Sequence, residues 1–162
     1  MIGVLIPVHN EQALLPDCLD AALIAARHPG LQGEAVQILL VLDSCSDDSA
    51  AIVQSYPVQH FEVQARNVGH VRGLGARHLL NQGARWISCT GADSRVAPDW
   101  LVAQLALNAD AVCGTVTVDA WSEGFDPAAQ IRYLQGYQAQ DGHRHIHGAN
   151  LGVSAGAYIR AG

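Results

Sequence analysis

Short apolar runs that alternate with helical patterns restrict this chain to few folds. Ile2 to Val8 is apolar throughout and gives way to polar residues, as a strand buried on both faces does. Leu15, Cys18, Leu19, Ala22, Leu23 and Ala26 then share one helical face. Pro16 fits only the first turn of that helix, where its missing N–H does no harm. Val36 to Leu42 reads as a second buried strand, and Ser46 or Asp47 is expected to cap a helix running to about Ser55. Val58 to Val63 alternates as a strand, Val71 to Leu80 is helical, and Trp86 to Cys89 is a further strand. Pro98 to Leu107 reads as a helix with Pro98 near its first position, and Ala111 to Val118 is strand-like. This order predicts an α/β fold of three layers, a mostly parallel sheet with helices on both faces. A length of 162 residues suits one domain, 1–162.

Ligands of such sheets bind beyond the carboxyl ends of the strands. The residues expected there are His9-Asn10-Glu11, Asp43-Ser44-Cys45 and Gly91-Ala92-Asp93-Ser94, a concentration of acidic and amide groups.

The net charge is -6, and all nine basic residues are arginine. An acidic, lysine-free chain is poorly suited to general nucleic-acid binding, which relies on basic patches. An anionic ligand would need local arginines, backbone N–H groups or a bound cation. Cys18, Cys45, Cys89 and Cys113 form no C-x-x-C pair and match no zinc spacing, so they read as free thiols in a reducing compartment. The N-terminal run lacks the basic flank of a signal peptide, and no apolar stretch is long enough to span a bilayer. The expected location is the cytoplasm.

Val4-Leu5-Ile6-Pro7-Val8-His9-Asn10-Glu11 resembles the opening strand of family 2 glycosyltransferases of the GT-A fold. Val41-Leu42-Asp43-Ser44-Cys45-Ser46-Asp47 is similar to that family's second-strand motif, and Asn67-Val68-Gly69 to its Asn-x-Gly segment. Thr90-Gly91-Ala92-Asp93 occupies the place of its Asp-x-Asp motif, with Pro98-Asp99-Trp100-Leu101 after it. His147-Gly148-Ala149-Asn150 looks like the later Gly-x-Asn segment on the acceptor side. Each motif is weak alone; their order and context make the set specific.

The resemblance implies a nucleotide-binding half, 1–95, and an acceptor-side half, 96–162. It implies transfer of a sugar, with inversion, from a UDP- or GDP-sugar to an acceptor hydroxyl. Oxygen-ligated Mg²⁺ or Mn²⁺ would neutralise the leaving diphosphate. Asp93 is the expected metal carboxylate, its alternative being a turn or cap residue. Asp43 would accept the imide N–H of a uracil or guanine base, or else serve as a loop aspartate. Pro7, His9 and Glu11 belong to the loop that holds the nucleoside, although Glu11 also suits the positive end of the first helix. Asn67 and Arg72 are assigned to the donor, Arg72 to its diphosphate, while Arg66 reads as exposed. Arg95 can pair with Asp93 or meet phosphate. Gly148 and Asn150 complete the donor set.

His143, His145 and His147 alternate, so in a strand they share one face, and His147 is the candidate second metal ligand. A solvated strand face is the other reading. Trp86 and Trp100 read as packing residues, and Trp121-Ser122 as packing or the border of the acceptor pocket. Further partner candidates are a membrane surface and a second copy of the chain.

Two departures stand out. Gly91 replaces the first carboxylate of the Asp-x-Asp motif. The family's general base is expected shortly beyond Gly162, so the acceptor-side half is expected to be incomplete. Within the chain, Asp119 is the candidate base because it ends the strand after Asp93, with Glu123 and Asp126 as alternatives. A domain that binds a nucleotide sugar without a base of its own is the competing function.

Overall fold

The computed structural model describes residues 1–121 and 123–162; Ser122, and with it half of the expected Trp121-Ser122 border, lies outside them. The order of elements is β1 (Ile2–Val8), α1 (Leu15–Ala26), β2 (Val36–Asp43), α2 (Ser49–Gln54), β3 (Gln59–Val63), α3 (Val68–Asn81), β4 (Trp86–Cys89), α4 (Trp100–Ala106), β5 (Ala111–Cys113), α5 (Pro127–Gly136), β6 (Leu151–Ser154) and α6 (Ala155–Ala161). The strands lie in the order β3-β2-β1-β4-β6-β5. β3, β2, β1 and β4 run parallel, and β6 is inserted antiparallel between β4 and β5.

β1 sits near the centre of the sheet, so both of its faces are dry. Ile2, Val4, Ile6 and Val8 pack with Leu15 and Leu19 of α1, Val53 of α2 and Leu101 of α4. Leu5, with Leu39 and Val41 of β2, packs against Val71, Ala76 and Leu79 of α3 on the opposite face. This two-sided burial explains the unbroken apolar run of β1 and gives the three expected layers. Gly75 lets α3 approach closely, since a β-carbon there would lie 2.2 Å from Leu5 Cδ1.

Four local expectations change. β5 stops at Cys113 instead of reaching Val118, because side chains take its next ladder groups. The Asn150 amide donates to the Thr115 carbonyl, and the Val116 N–H donates to the Tyr137 hydroxyl. α4 begins at Trp100 and not at Pro98, with Asp99 at its N-cap. Asp48 occupies the N-cap of α2, although Asp47 Oδ1 does accept the Ser49 N–H at 3.0 Å. β6 was not expected: four residues, one of them Gly152, carry little pattern.

His143, His145 and His147 lie in no strand. Their rings nevertheless stack on one side, at 5.6 Å for each successive pair, with Tyr137 stacked on His145 at 4.5 Å. Among the described residues no helix is long and apolar enough to cross a membrane.

Candidate functional site

A cavity of about 700 Å³ opens where the carboxyl ends of β1, β2 and β4 meet the start of α3. His9, Glu11, Asp43 and Asp93, expected from the strand ends, all line it, as do Pro7, Asn67 and Arg72, which the family resemblance pointed to. Each strand-end loop that follows β1, β2 and β3 holds one non-glycine residue at positive φ: Asn10 (54°), Ser44 (54°) and Arg66 (47°). Asparagine and serine turn chemistry suits such reversals.

Side chains zip the first two loops together. Asn10 Oδ1 accepts the Ser46 N–H at 2.7 Å, and Asp47 Oδ2 accepts the Gln12 N–H at 3.0 Å. Gln12 Oε1 accepts the Asp48 N–H at 2.9 Å, and Ser49 Oγ accepts the Glu11 N–H at 3.0 Å. Asn10 belongs to the expected strand end, but Gln12 and Ser49 were not singled out in the sequence. Their only signal there was a polar residue type beside each strand end.

Asp43 is buried, and its carboxylate is already engaged. Oδ1 accepts the N–H groups of Ala65 (2.7 Å) and Arg66 (2.9 Å), and Oδ2 that of Asn67 (3.0 Å). Burial pushes this carboxyl up, but the N–H groups of Arg66 and Ala65, the Ser44 hydroxyl and the Asn67 N–H outweigh it and hold it at about 2. Its oxygens therefore fix the segment entering α3, and Oδ2, which accepts only the Asn67 N–H among the described residues, keeps acceptor capacity for the imide N–H of a base. His9 Nδ1 adds a bond of 2.6 Å to the Asp43 carbonyl. Asn67 also lines the cavity, and its Oδ1 caps α3 by accepting the His70 N–H at 3.0 Å.

Arg72 lies one turn into α3. Its Nε is buried and has no hydrogen-bond partner among the described residues. Its guanidinium rests against Gly148, where a β-carbon would fall 2.5 Å from Cζ. Arg66 is exposed, as expected, but it also lines the cavity beside Asn67.

Asp93 is exposed at the cavity, with one side-chain bond, from Ser94 Oγ at 3.1 Å. It folds back over Gly91, whose β-carbon, if present, would lie 2.4 Å from Asp93 Oδ1. The missing first carboxylate is thus sterically coupled to the position of the second. Glu11 stands near it: burial, then the charges of Asp93 and Asp47, push the Glu11 carboxyl up, with His9 opposing. Two carboxylates that repel across a solvent-open cavity are the donor set a hard cation relieves. No group of three or more Asp, Glu, His or Cys converges for a metal among the described residues, so a cation here would draw its other ligands from the anion it accompanies.

Other candidates lie outside the cavity lining. Asp119 pairs with Arg95, and both side chains are more than half exposed. Arg95 therefore meets neither Asp93 nor the cavity. Asn150 is held by Trp100 Nε1 (2.8 Å) and Gln104 Nε2 (3.1 Å) and is not a cavity residue. His147 places Nε2 at 3.4 Å from the Tyr137 hydroxyl and is not a cavity residue. Trp121 packs on Phe125 and Tyr133. Cys18, with its thiol on the Gly91 carbonyl, is pushed up to about 12 by burial and the nearby Asp93 charge, which fits an unreactive core thiol.

Compared with known proteins, the chain matches Glycosyl transferase family 2 over residues 3–160. No curated protein matches it by sequence. Among solved structures it is similar to the mannosyltransferase PcManGT from Pyrobaculum calidifontis, in complex with GDP-Man and Mn²⁺ (TM-score 0.69, 19% identity, 99% of this chain and 46% of that one). It is also similar to glucosyl-3-phosphoglycerate synthase from Mycobacterium tuberculosis, in complex with Mn²⁺, UDP-Glc and phosphoglyceric acid (TM-score 0.62, 13% identity, 95% and 56%). A third similar structure is S. aureus TarS 1-349 (TM-score 0.61, 14% identity, 75% and 37%). At these identities the likeness is one of fold, and the chain spans about half or less of each neighbour's length.

Proposed function

The chain belongs to glycosyl transferase family 2, and on that premise we propose that its cavity binds the diphosphate of a UDP- or GDP-sugar for transfer to an acceptor hydroxyl. The observation that carries this reading is Arg72. Arg72 lines the cavity with no ion-pair partner among the described residues, and a diphosphate there would supply one through charge-assisted bonds. In a chain without lysine, Arg66 is the other cation of the cavity lining.

Asp93, with Glu11 beside it, would hold Mg²⁺ or Mn²⁺. When bound, that cation supplies positive charge to the departing nucleoside diphosphate. The complexes of PcManGT with GDP-Man and Mn²⁺ and of the mycobacterial synthase with UDP-Glc and Mn²⁺ support this choice of donor and ion. This chain's own groups orient the donor: Asp43 and Asn67 fix the start of α3, and α3 presents Arg72. Transfer with inversion is in-line attack by an acceptor hydroxyl on the anomeric carbon: the bond from that carbon to the diphosphate oxygen breaks, the nucleoside diphosphate leaves with the electron pair, and the hydroxyl proton passes to a base.

A second reading has one specific observation behind it. Asp119 is paired with Arg95 outside the cavity, which favours a donor-binding domain that lacks a base of its own. Calorimetric titration of the chain with UDP or GDP in the presence of Mn²⁺ tests the first claim. Saturable binding that Arg72→Ala weakens is expected, and no binding of either nucleotide overturns it. Slow hydrolysis of a sugar donor separates turnover from binding alone.

A further inference from the structure

Asn150 lies outside the cavity, yet its contacts lead to Arg72. Its Oδ1 accepts from Trp100 Nε1 at 2.8 Å and Gln104 Nε2 at 3.1 Å, both on α4. Its Nδ2 donates to the Thr115 carbonyl at 2.9 Å, just past β5. Gln104 Oε1 in turn accepts from Ser88 Oγ at 2.7 Å and Trp86 Nε1 at 3.2 Å, on β4. The network leaves no room for side chains around it. A β-carbon on Gly114 would fall 2.1 Å from Asn150 Nδ2, and one on Gly152 would fall 2.5 Å from Gln104 Oε1. Every hydrogen-bonding position of the Asn150 amide that the network uses points into the fold.

The same residue closes a tight turn. Its N–H donates to the His147 carbonyl at 3.0 Å, and its own carbonyl accepts the Gly114 N–H at 2.8 Å. Gly148 sits inside that turn, against the guanidinium of Arg72. We propose that Asn150 is a positioning residue: it anchors the 147–150 turn to α4 and β5 so that Gly148 holds the Arg72 guanidinium in place for a nucleoside diphosphate. The inference rests on the reading of the cavity as a diphosphate site. It assigns Asn150 no contact with the donor, in contrast to the expectation from the sequence.

The test is calorimetric titration of UDP and GDP, with Mn²⁺, into the wild-type chain, Asn150→Ala, Arg72→Ala and the double variant. Asn150→Ala is expected to weaken nucleotide binding about tenfold, and to add nothing further once Arg72 is gone. Asp110→Ala is the control. It removes bonds to Ser154 Oγ and Arg160, remote from Gly148, and should lower the melting temperature without changing affinity. Additive losses in the double variant, or an equal loss of affinity in Asp110→Ala, overturn the positioning role. Should Asn150→Ala fail to fold, Gly148→Ala carries the test, because its methyl group intrudes on the guanidinium directly. Weakened binding that is non-additive with Arg72→Ala supports the proposal, and unchanged affinity overturns it. If the wild type binds neither nucleotide, the diphosphate reading itself fails. That result is distinct from binding with additive losses, which sinks only the role of Asn150.

Discussion

The guanidinium of Arg72 lies flat enough against Gly148 that a β-carbon on the glycine would fall 2.6 Å from one terminal nitrogen and 2.7 Å from the other. The contact covers the cation without giving it a hydrogen-bond acceptor, and Nε is buried without one. A cation held in this way is costly to the empty protein and useful to an anion. Two opposite effects should follow from Arg72→Met. Melting without ligand should be unchanged or raised, while affinity for UDP or GDP should fall about 10- to 100-fold, the scale of a lost charge-assisted contact. Arg72→Lys should recover only part of the affinity, since an ammonium cannot present the same planar fork.

Asp93 and Gly91 compete for the same space. Asp93→Ala should abolish the part of nucleotide binding that depends on Mn²⁺ and leave metal-free binding nearly intact. Gly91→Asp restores the missing carboxylate of the Asp-x-Asp pattern but should weaken Mn²⁺-dependent binding, because its β-carbon displaces Asp93. Titrating Mn²⁺ at fixed nucleotide distinguishes this from a simple gain of a ligand, in which affinity would rise.

Asp43 is held at about 2, against about 4 for an unfolded aspartate. The folded state therefore binds fewer protons than the unfolded state between these values. The stability from Asp43 is fully present above about pH 4 and is lost as pH falls towards 2. Asp43→Asn should remove this acid-dependent component and lower the melting temperature at pH 7 by several degrees. It should also weaken nucleotide binding, through the loosened start of α3. Melting curves between pH 2 and pH 7 for both proteins check the sign.

The buried parallel core was legible because two-sided burial leaves an unbroken apolar run. β1 and β4 have the bounds their sequences suggested, and α1 starts with Pro16 in its first turn. The cavity residues were legible for a related reason: a parallel sheet sends its strand ends to one edge, so polar residues there must meet. What could not be read was how each polar group is spent. Asp43, Asn67 and Asn150 are of the residue types that bind ligands, but also of the types that satisfy backbone N–H and C=O groups. Only the folded distances separate the two uses. The early end of β5 was hidden because it depends on Asn150 and Tyr137 bonding to a carbonyl and an N–H group far away in sequence, and β6 because four residues, one of them Gly152, carry little pattern.

Gly75 offers a test of packing alone. Its absent side chain lets α3 settle on Leu5, and Gly75→Ala would place a methyl 2.2 Å from Leu5 Cδ1. Overpacking of this kind costs about 1–3 kcal/mol. Urea denaturation should show that loss. Nucleotide affinity should fall as well if α3 shifts, since α3 carries Arg72.

Asp119 separates the two functional readings. Its carboxylate is exposed and paired with Arg95, so Asp119→Asn should leave the melting temperature nearly unchanged, as is common for exposed ion pairs. Nucleotide affinity should also stay the same, because Asp119 does not line the cavity. Suppose the chain hydrolyses a sugar donor. If Asp119 were the base, Asn at this position would suppress that hydrolysis and remove its dependence on an ionised carboxylate. The geometry predicts the opposite result: the rate and its pH profile should match the wild type. A loss of hydrolysis with intact nucleotide binding would mean that Asp119 leaves Arg95 and reaches the donor during turnover.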